Sequence, residues 1–248
     1  MVFLEARSGC TVDMNGIHVV EHLFRYLGIA LLLSCMLTGC GHKPFQANSI
    51  GKSSVDMVMD LHIRESEMLL ADLMEKLYRR NPDELHKRAG ASIASRQRQL
   101  FHDHLTRLRF DELQGAEGIH AMNLAFHPHF QGDRVFALMT GLTGMVRRSY
   151  GFRQEQFLWT QLDENKLYLS ARNIEILAWK LKTQHQADGQ PFLITFGNDG
   201  VIDNTSFDRL YGKLISNQDM AAKIVADRYN RNISMMIQNT ATFVFIPI

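Results

Sequence analysis

Asp133-Arg-Val-Phe-Ala-Leu-Met-Thr-Gly-Leu-Thr-Gly-Met-Val-Arg-Arg-Ser-Tyr-Gly151 is the stretch from which the fold class follows. Asp133 suits a helix N-cap, and Val135, Phe136, Leu138, Met139, Leu142, Met145 and Val146 fall on most sides of the helix behind it. A helix that is apolar over most of its circumference has to be surrounded, so this one is expected at the centre of a helical domain. Arg147 and Arg148 complement its negative end, and Gly151 stops it. Gly141 and Gly144, inside the pattern, read as a place where a neighbouring helix comes close.

The sequence on either side is also helical in period. Ser53 or Ser54 can cap a long helix reaching about Tyr78, with Val55, Val58, Met59, Leu69, Leu70, Leu73 and Leu77 on its buried face. Asn81-Pro82-Asp83-Glu84 is a cap, an N1 proline and two acids, which predicts an immediate second helix. Asp163 opens another, whose stripe runs through Leu167, Ala171, Ile174, Leu177 and Leu181. Thr205 with Asp208 predicts a short helix through Leu214, and Ser216 with Asp219 a final one through Ile224, Val225, Ile233 and Met236. Residues 191–196 and 201–203, around Gly197-Asn-Asp-Gly200, predict a β-hairpin, with residues 243–246 as a third strand. The expected fold is mainly α: a single helical domain over residues 53–248 with a small β-hairpin or three-stranded element near the C-terminus.

Upstream of the domain lies a different kind of signal. Residues 26–39 carry no charge and end in Leu37-Thr38-Gly39-Cys40. As a helix they span about 21 Å against a hydrocarbon core of about 30 Å, which suits a signal-peptide apolar region better than a membrane anchor. Leu37-Thr38-Gly39-Cys40 resembles the lipobox of bacterial lipoproteins. The resemblance covers the first 40 residues and concerns export alone. It implies cleavage between Gly39 and Cys40, removal of residues 1–39, and acylation of Cys40, palmitate-type chains included. The segment before the apolar run is long for the class and weakly basic, and translation from Met14 gives a more usual length. Gly41, where an aspartate favours inner-membrane retention, implies an outer-membrane anchor with the domain facing the periplasm. Cys10 and Cys35 would leave with the signal, so the mature chain would hold no thiol for a disulfide, a nucleophile or a metal. Residues 40–52, polar with Pro44 and two glycines, read as a lipidated tether.

Composition narrows the partners. A formal charge of +1 gives no field for a nucleic-acid partner, and 46% hydrophobic residues suit a packed domain. Of the 11 histidines, His102, His104, His120, His127 and His129 cluster in sequence beside several acids. A divalent metal needs three or four such ligands converging at about 2 Å, so His102, His120, His127 and His129 are the candidate metal set. If His127-Pro-His129 is extended, both rings project from one face. The competing reading is a polar connection whose histidines are solvated. Arg96, Arg98, Arg107 and Arg109, with Phe101 and Phe110, form a basic cluster that could meet anionic headgroups or make a solvated helix face. Gly51-Lys-Ser53 has the tail of a phosphate-binding loop without its first glycine or its strand.

Two functional expectations follow. The leading one is a non-catalytic cell-envelope lipoprotein, attached to membrane lipid through Cys40, that binds an envelope protein or polymer partner. Its rival is a metal-dependent envelope hydrolase built on the histidine cluster. A third class, a small-ligand carrier, would require a sizeable apolar cavity, which sequence does not reveal.

Overall fold

Helices carry the whole architecture in the computed structural model, which describes residues 52–102, 107–157, 161–195, 205–229 and 244–248. In chain order they are α1 (Ser54–Arg80), α2 (Pro82–His86), α3 (Ile93–Gln97), α4 (Gly118–Leu124), α5 (Arg134–Ser149), α6 (Glu164–Thr183) and α7 (Ser206–Arg228). A π-helical turn at Arg98–His102 and a 3-10 turn at Asp111–Leu113 join α3 to α4. The signal, cleavage site and lipidated tether expected over residues 1–51 lie outside the described residues, as do the expected turn at 197–200 and the helical residues Ile233 and Met236. Among the described residues no helix is long and apolar enough to cross a membrane.

Side-chain caps start three of the four long helices, whereas Thr205, the expected cap of α7, makes no side-chain cap bond. Ser53 and Asp56 cap α1 reciprocally: the Asp56 N–H donates to the Ser53 hydroxyl at 3.2 Å, and the Asp56 carboxylate accepts from the Ser53 N–H at 2.8 Å. Asp133 caps α5 by accepting from the Phe136 N–H at 2.8 Å, and Asp163 caps α6 through the N–H groups of Asn165 and Lys166. Side-chain pairs fix the directions. Asp56 bonds Arg228 and Ser66 bonds Gln218, so α1 and α7 run antiparallel. Glu67 bonds Arg147 and Tyr78 bonds Asp133, so α1 and α5 do too. Arg172 bonds Asp219 and Lys182 pairs with Asp208, which reverses α6 against α7. With α5 and α6 also in contact, the four long helices make a ring of alternating direction.

The most enclosed member of the ring is α5, which α4 covers as well as α1 and α6. Val135 through Val146 are buried without a break, as the all-round apolar pattern requires. Within this apolar surround sits one polar layer to which every long helix gives a residue: Ser66 of α1, Ser149 of α5, Ser170 of α6 and Gln218 of α7. The Gln218 Nε2 donates to Ser66 Oγ at 3.1 Å, and the Ser170 and Ser149 hydroxyls stand 2.9 and 3.3 Å from its Oε1. All four side chains are buried.

The expected β element is not supported among the described residues, and its 201–203 segment lies outside them. The described residues contain no strand, only an isolated bridge between His185 and Pro191. The described parts of the expected first and third strands are instead bound by asparagine amides. Asn81 Oδ1 accepts from the Ile194 N–H at 2.7 Å while its Nδ2 donates to the Ile194 carbonyl at 3.1 Å. Asn173 of α6 does the same to Ile246, at 2.7 and 2.8 Å. Each amide thus presents the donor and acceptor that a strand neighbour would.

Two smaller expectations also change. Thr205 to Arg228 is one continuous helical run, because Asn217, Gln218 and Asp219 bond to α1 and α6 rather than capping a new helix. Val58 lies on the outer side of α1, where Met57, Leu61 and Met68 make an exposed stripe (47, 57 and 58% exposed) opposite the buried face.

Gly141 explains how closely α4 and α5 pack. A Cβ there would lie 2.4 Å from the Gly118 carbonyl oxygen and 2.5 Å from the Met122 backbone nitrogen, whereas at Gly144 the nearest atoms are 3.9 Å away. Alanine is the better helix former by up to about 1 kcal/mol, so Gly144→Ala is expected to be neutral or stabilising. Gly141→Ala is expected to cost about 1–3 kcal/mol through overpacking, and urea unfolding of the two variants reads the difference.

Candidate functional site

Where α4, α5, residues 107–108 and residues 244–248 meet, the surface opens into a groove of about 590 Å3. Leu108, Met145, Phe152, Phe245 and Ile248 give it an apolar lining. Arg107, His120 and Arg148 line it as well, and all three are exposed. None of the three has a side-chain partner among the described residues. The contrast with their neighbours is informative: Arg147 is forked onto Glu67 at 2.7 and 2.9 Å, and Arg109 pairs with Glu117 at 3.6 Å.

Three pieces of local structure hold the groove open. The close contact at Gly141 places α4, with His120, against α5, with Arg148. The Asn173 amide fixes the backbone of Ile246, and Phe245 beside it is buried under Lys180, whose Nζ stands 4.3 Å from the ring centroid. Phe152 follows the end of α5 with φ +56, a left-handed conformation that costs a bulky side chain about 1–3 kcal/mol. It closes the helix by donating its N–H to the Arg147 carbonyl at 2.7 Å, and its ring lines both the groove and a second pocket of about 280 Å3. Strain of this kind, kept at a concave surface, marks a residue placed for what it lines.

At the other end of α5 a buried ion cluster holds the 107–117 segment through Glu112. Arg96, only 1% exposed, forks onto Glu112 at 2.8 and 2.9 Å, reaches Asp133 at 3.1 Å, and packs its guanidinium 4.1 Å from the Phe136 ring centroid. Tyr78 donates to the same Asp133 at 2.7 Å. Burial pushes the Asp133 carboxyl above its ordinary range despite the bonds from Phe136, Tyr78 and Arg96. At Glu112 burial also acts upward, but Arg96, Gln99 and Arg88 outweigh it and hold that carboxyl below its ordinary value.

The candidates from sequence separate accordingly. Cys40 and Gly39 lie outside the described residues. His102 ends the π-helical turn, and His104 is outside the described residues. His120 sits at the groove on α4. His127 and His129 are exposed with ring centroids 5.8 Å apart, but in a turn rather than an extended run, because the Phe130 N–H closes onto the His127 carbonyl and Arg134 binds that carbonyl too. Among the described residues no three or more His, Cys, Asp or Glu are grouped as a metal would need. The basic cluster is divided: Arg96 is interior, Arg109 is paired, and Arg107 faces the groove. Lys52, from the phosphate-loop-like tail, is bound between Asp60 and Glu155 at 2.6 and 3.0 Å.

Comparison with protein-family models, with curated proteins and with solved structures gave no match to this chain. What the groove accepts is therefore read from its own residues. Arg148 was visible in the sequence only as a helix-end cation. Its meeting with Arg107 is a tertiary event that no spacing announces.

The Glu112 carboxyl carries a pH signature. Its folded value lies below its ordinary one, so its stabilisation is complete above about pH 4.5 and is lost as pH falls through the folded value. Glu112→Gln leaves buried Arg96 short of its forked partner and is expected to cost about 3 kcal/mol at pH 7. Urea unfolding at pH 7 and pH 3 should show that gap to the unsubstituted protein narrowing in acid.

Proposed function

We propose that this chain is a cell-envelope lipoprotein: acylated at Cys40, cleaved after Gly39, and carrying a helical domain with a binding or assembly role rather than a catalytic one. The observation that carries the proposal is Leu37-Thr38-Gly39-Cys40 directly behind an uncharged 26–39 run. Two or three acyl chains at about 0.8 kcal/mol per buried methylene would make the attachment effectively permanent. Gly41 after the cysteine favours the outer membrane, with the domain on the periplasmic side. Residues 41–52 could reach about 40 Å when extended, enough to hold the helical ring clear of headgroups.

The chemistry of the domain supports binding. Two of its buried polar clusters are committed to structure: Ser66, Ser149 and Ser170 gather on Gln218, and Asp133 and Glu112 on Arg96, while Asp56 pairs with Arg228. The groove, by contrast, offers apolar area and unpaired cations to solvent. A partner is recognised there by shape and charge.

Replacing Cys40 by Ala is expected to abolish labelling of the protein by radioactive palmitate and to shift it from the membrane fraction to the soluble periplasmic fraction or to the unprocessed precursor. A Cys40→Ala protein that still takes up palmitate and cofractionates with outer membrane would refute the anchoring.

A further inference from the structure

We propose that the groove between α4, α5 and residues 244–248 is a binding site for an anionic amphiphile, one acyl chain bearing a phosphate or carboxylate head. The proposal rests on the binding role above and names the ligand class of that site. The apolar surface needed by a chain is supplied by Leu108, Met145, Phe152, Phe245 and Ile248, drawn from three separate stretches of sequence. The head would meet Arg107, Arg148 and His120, whose side chains have no partner among the described residues. Guanidinium groups bind phosphate and carboxylate oxygens in pairs of parallel hydrogen bonds, so two free arginines on an apolar groove select that head chemistry. The acidic side chain among the described lining residues, Glu117, already faces Arg109 at 3.6 Å. A volume of about 590 Å3 falls within the range of small-molecule sites.

Two rival ligands fit less well. A bare inorganic anion would leave the apolar lining in water. An extended peptide would need backbone partners, and the amide that reads extended backbone here, Asn173, is already occupied by Ile246. Amphiphile binding also gives the strained Phe152 a purpose, because its ring forms part of the surface against which a chain would lie.

The test uses the full chain in neutral phosphatidylcholine vesicles with tetradecyl phosphate carrying a diazirine in its tail. After irradiation, one label per chain is expected on Leu108, Met145, Phe152 or Phe245, displaced by unlabelled tetradecyl phosphate and not by inorganic phosphate. Charge-assisted hydrogen bonds contribute enough that the paired substitution Arg107→Gln with Arg148→Gln should weaken labelling on the order of tenfold or more. Arg80→Gln, at the far end of α1, should leave it unchanged, and circular dichroism of each variant checks the fold. Labelling elsewhere or none at all, equal labelling by the neutral diazirine alcohol, or full competition by inorganic phosphate would each overturn the proposal. Cys40→Ala should keep the groove labelling even as it loses palmitate, so failure of the anchor and failure of the site give different results.

Discussion

A primary amide buried among four helices has two donors and an acceptor oxygen to satisfy, and leaving any of them bare costs about 1–3 kcal/mol. Gln218 donates to Ser66 and has the Ser149 and Ser170 hydroxyls at its oxygen, each serine from a different long helix. Moving any one helix along by a residue would carry its serine about 1.5 Å along the axis and about 100° around it. The layer therefore fixes the mutual register of the ring, something the surrounding leucines and methionines, which repack readily, do less strictly. Asn217 extends it to the edge, donating to the His62 carbonyl and to the Ser66 hydroxyl. Everything that shapes the groove depends on that register. With α5 in place, Gly141 meets Gly118 and Arg148 reaches the same opening as His120.

Side-chain amides serve a second purpose in this molecule. Asn81 and Asn173 each bond both the N–H and the carbonyl of one residue in an extended segment. A helical protein has no strand to offer such a segment, yet its backbone groups still have to be answered when it lies against the core. One asparagine per segment does so at the cost of a single side chain. The segment that Asn173 fixes borders the groove, so the groove is built partly on helix and partly on strapped chain.

The central helix was legible because burial on all sides leaves a direct mark on composition: Val135 to Val146 contains no charge. The caps at Ser53, Asp133 and Asp163 were legible because capping is local chemistry. What failed failed for tertiary reasons. The 191–196 run reads as one strand of a hairpin because a tight-turn sequence follows it, but Ile194 is bound by the Asn81 amide instead. Ser216 and Asp219 look like a helix start until Asp219 is seen bonded to Arg172. Gln218 did leave a trace, being polar in the middle of a stripe made by Leu214, Ala221, Ala222 and Val225. Ser66 and Ser170 left the same trace on α1 and α6. The site was less legible than the fold: five clustered histidines drew attention to 102–129, whereas the groove's cations come from Arg107 and Arg148, far apart in the chain. On the reading proposed above, anchor and groove together would make a domain held at a bilayer by lipid and offering cations above an apolar floor.

The polar layer is the part of this account on which the groove, the strap and the ring all stand. Its direct test is the unfolding free energy of Gln218→Ala, with Ser66→Ala and Ser170→Ala beside it, from urea titrations at pH 7. A buried amide that serves three hydroxyls is expected to cost about 3–4 kcal/mol on removal, cavity included, and each serine about 1 kcal/mol. A Gln218→Ala protein within about 0.5 kcal/mol of the unsubstituted chain, the range of ordinary surface changes, would contradict it.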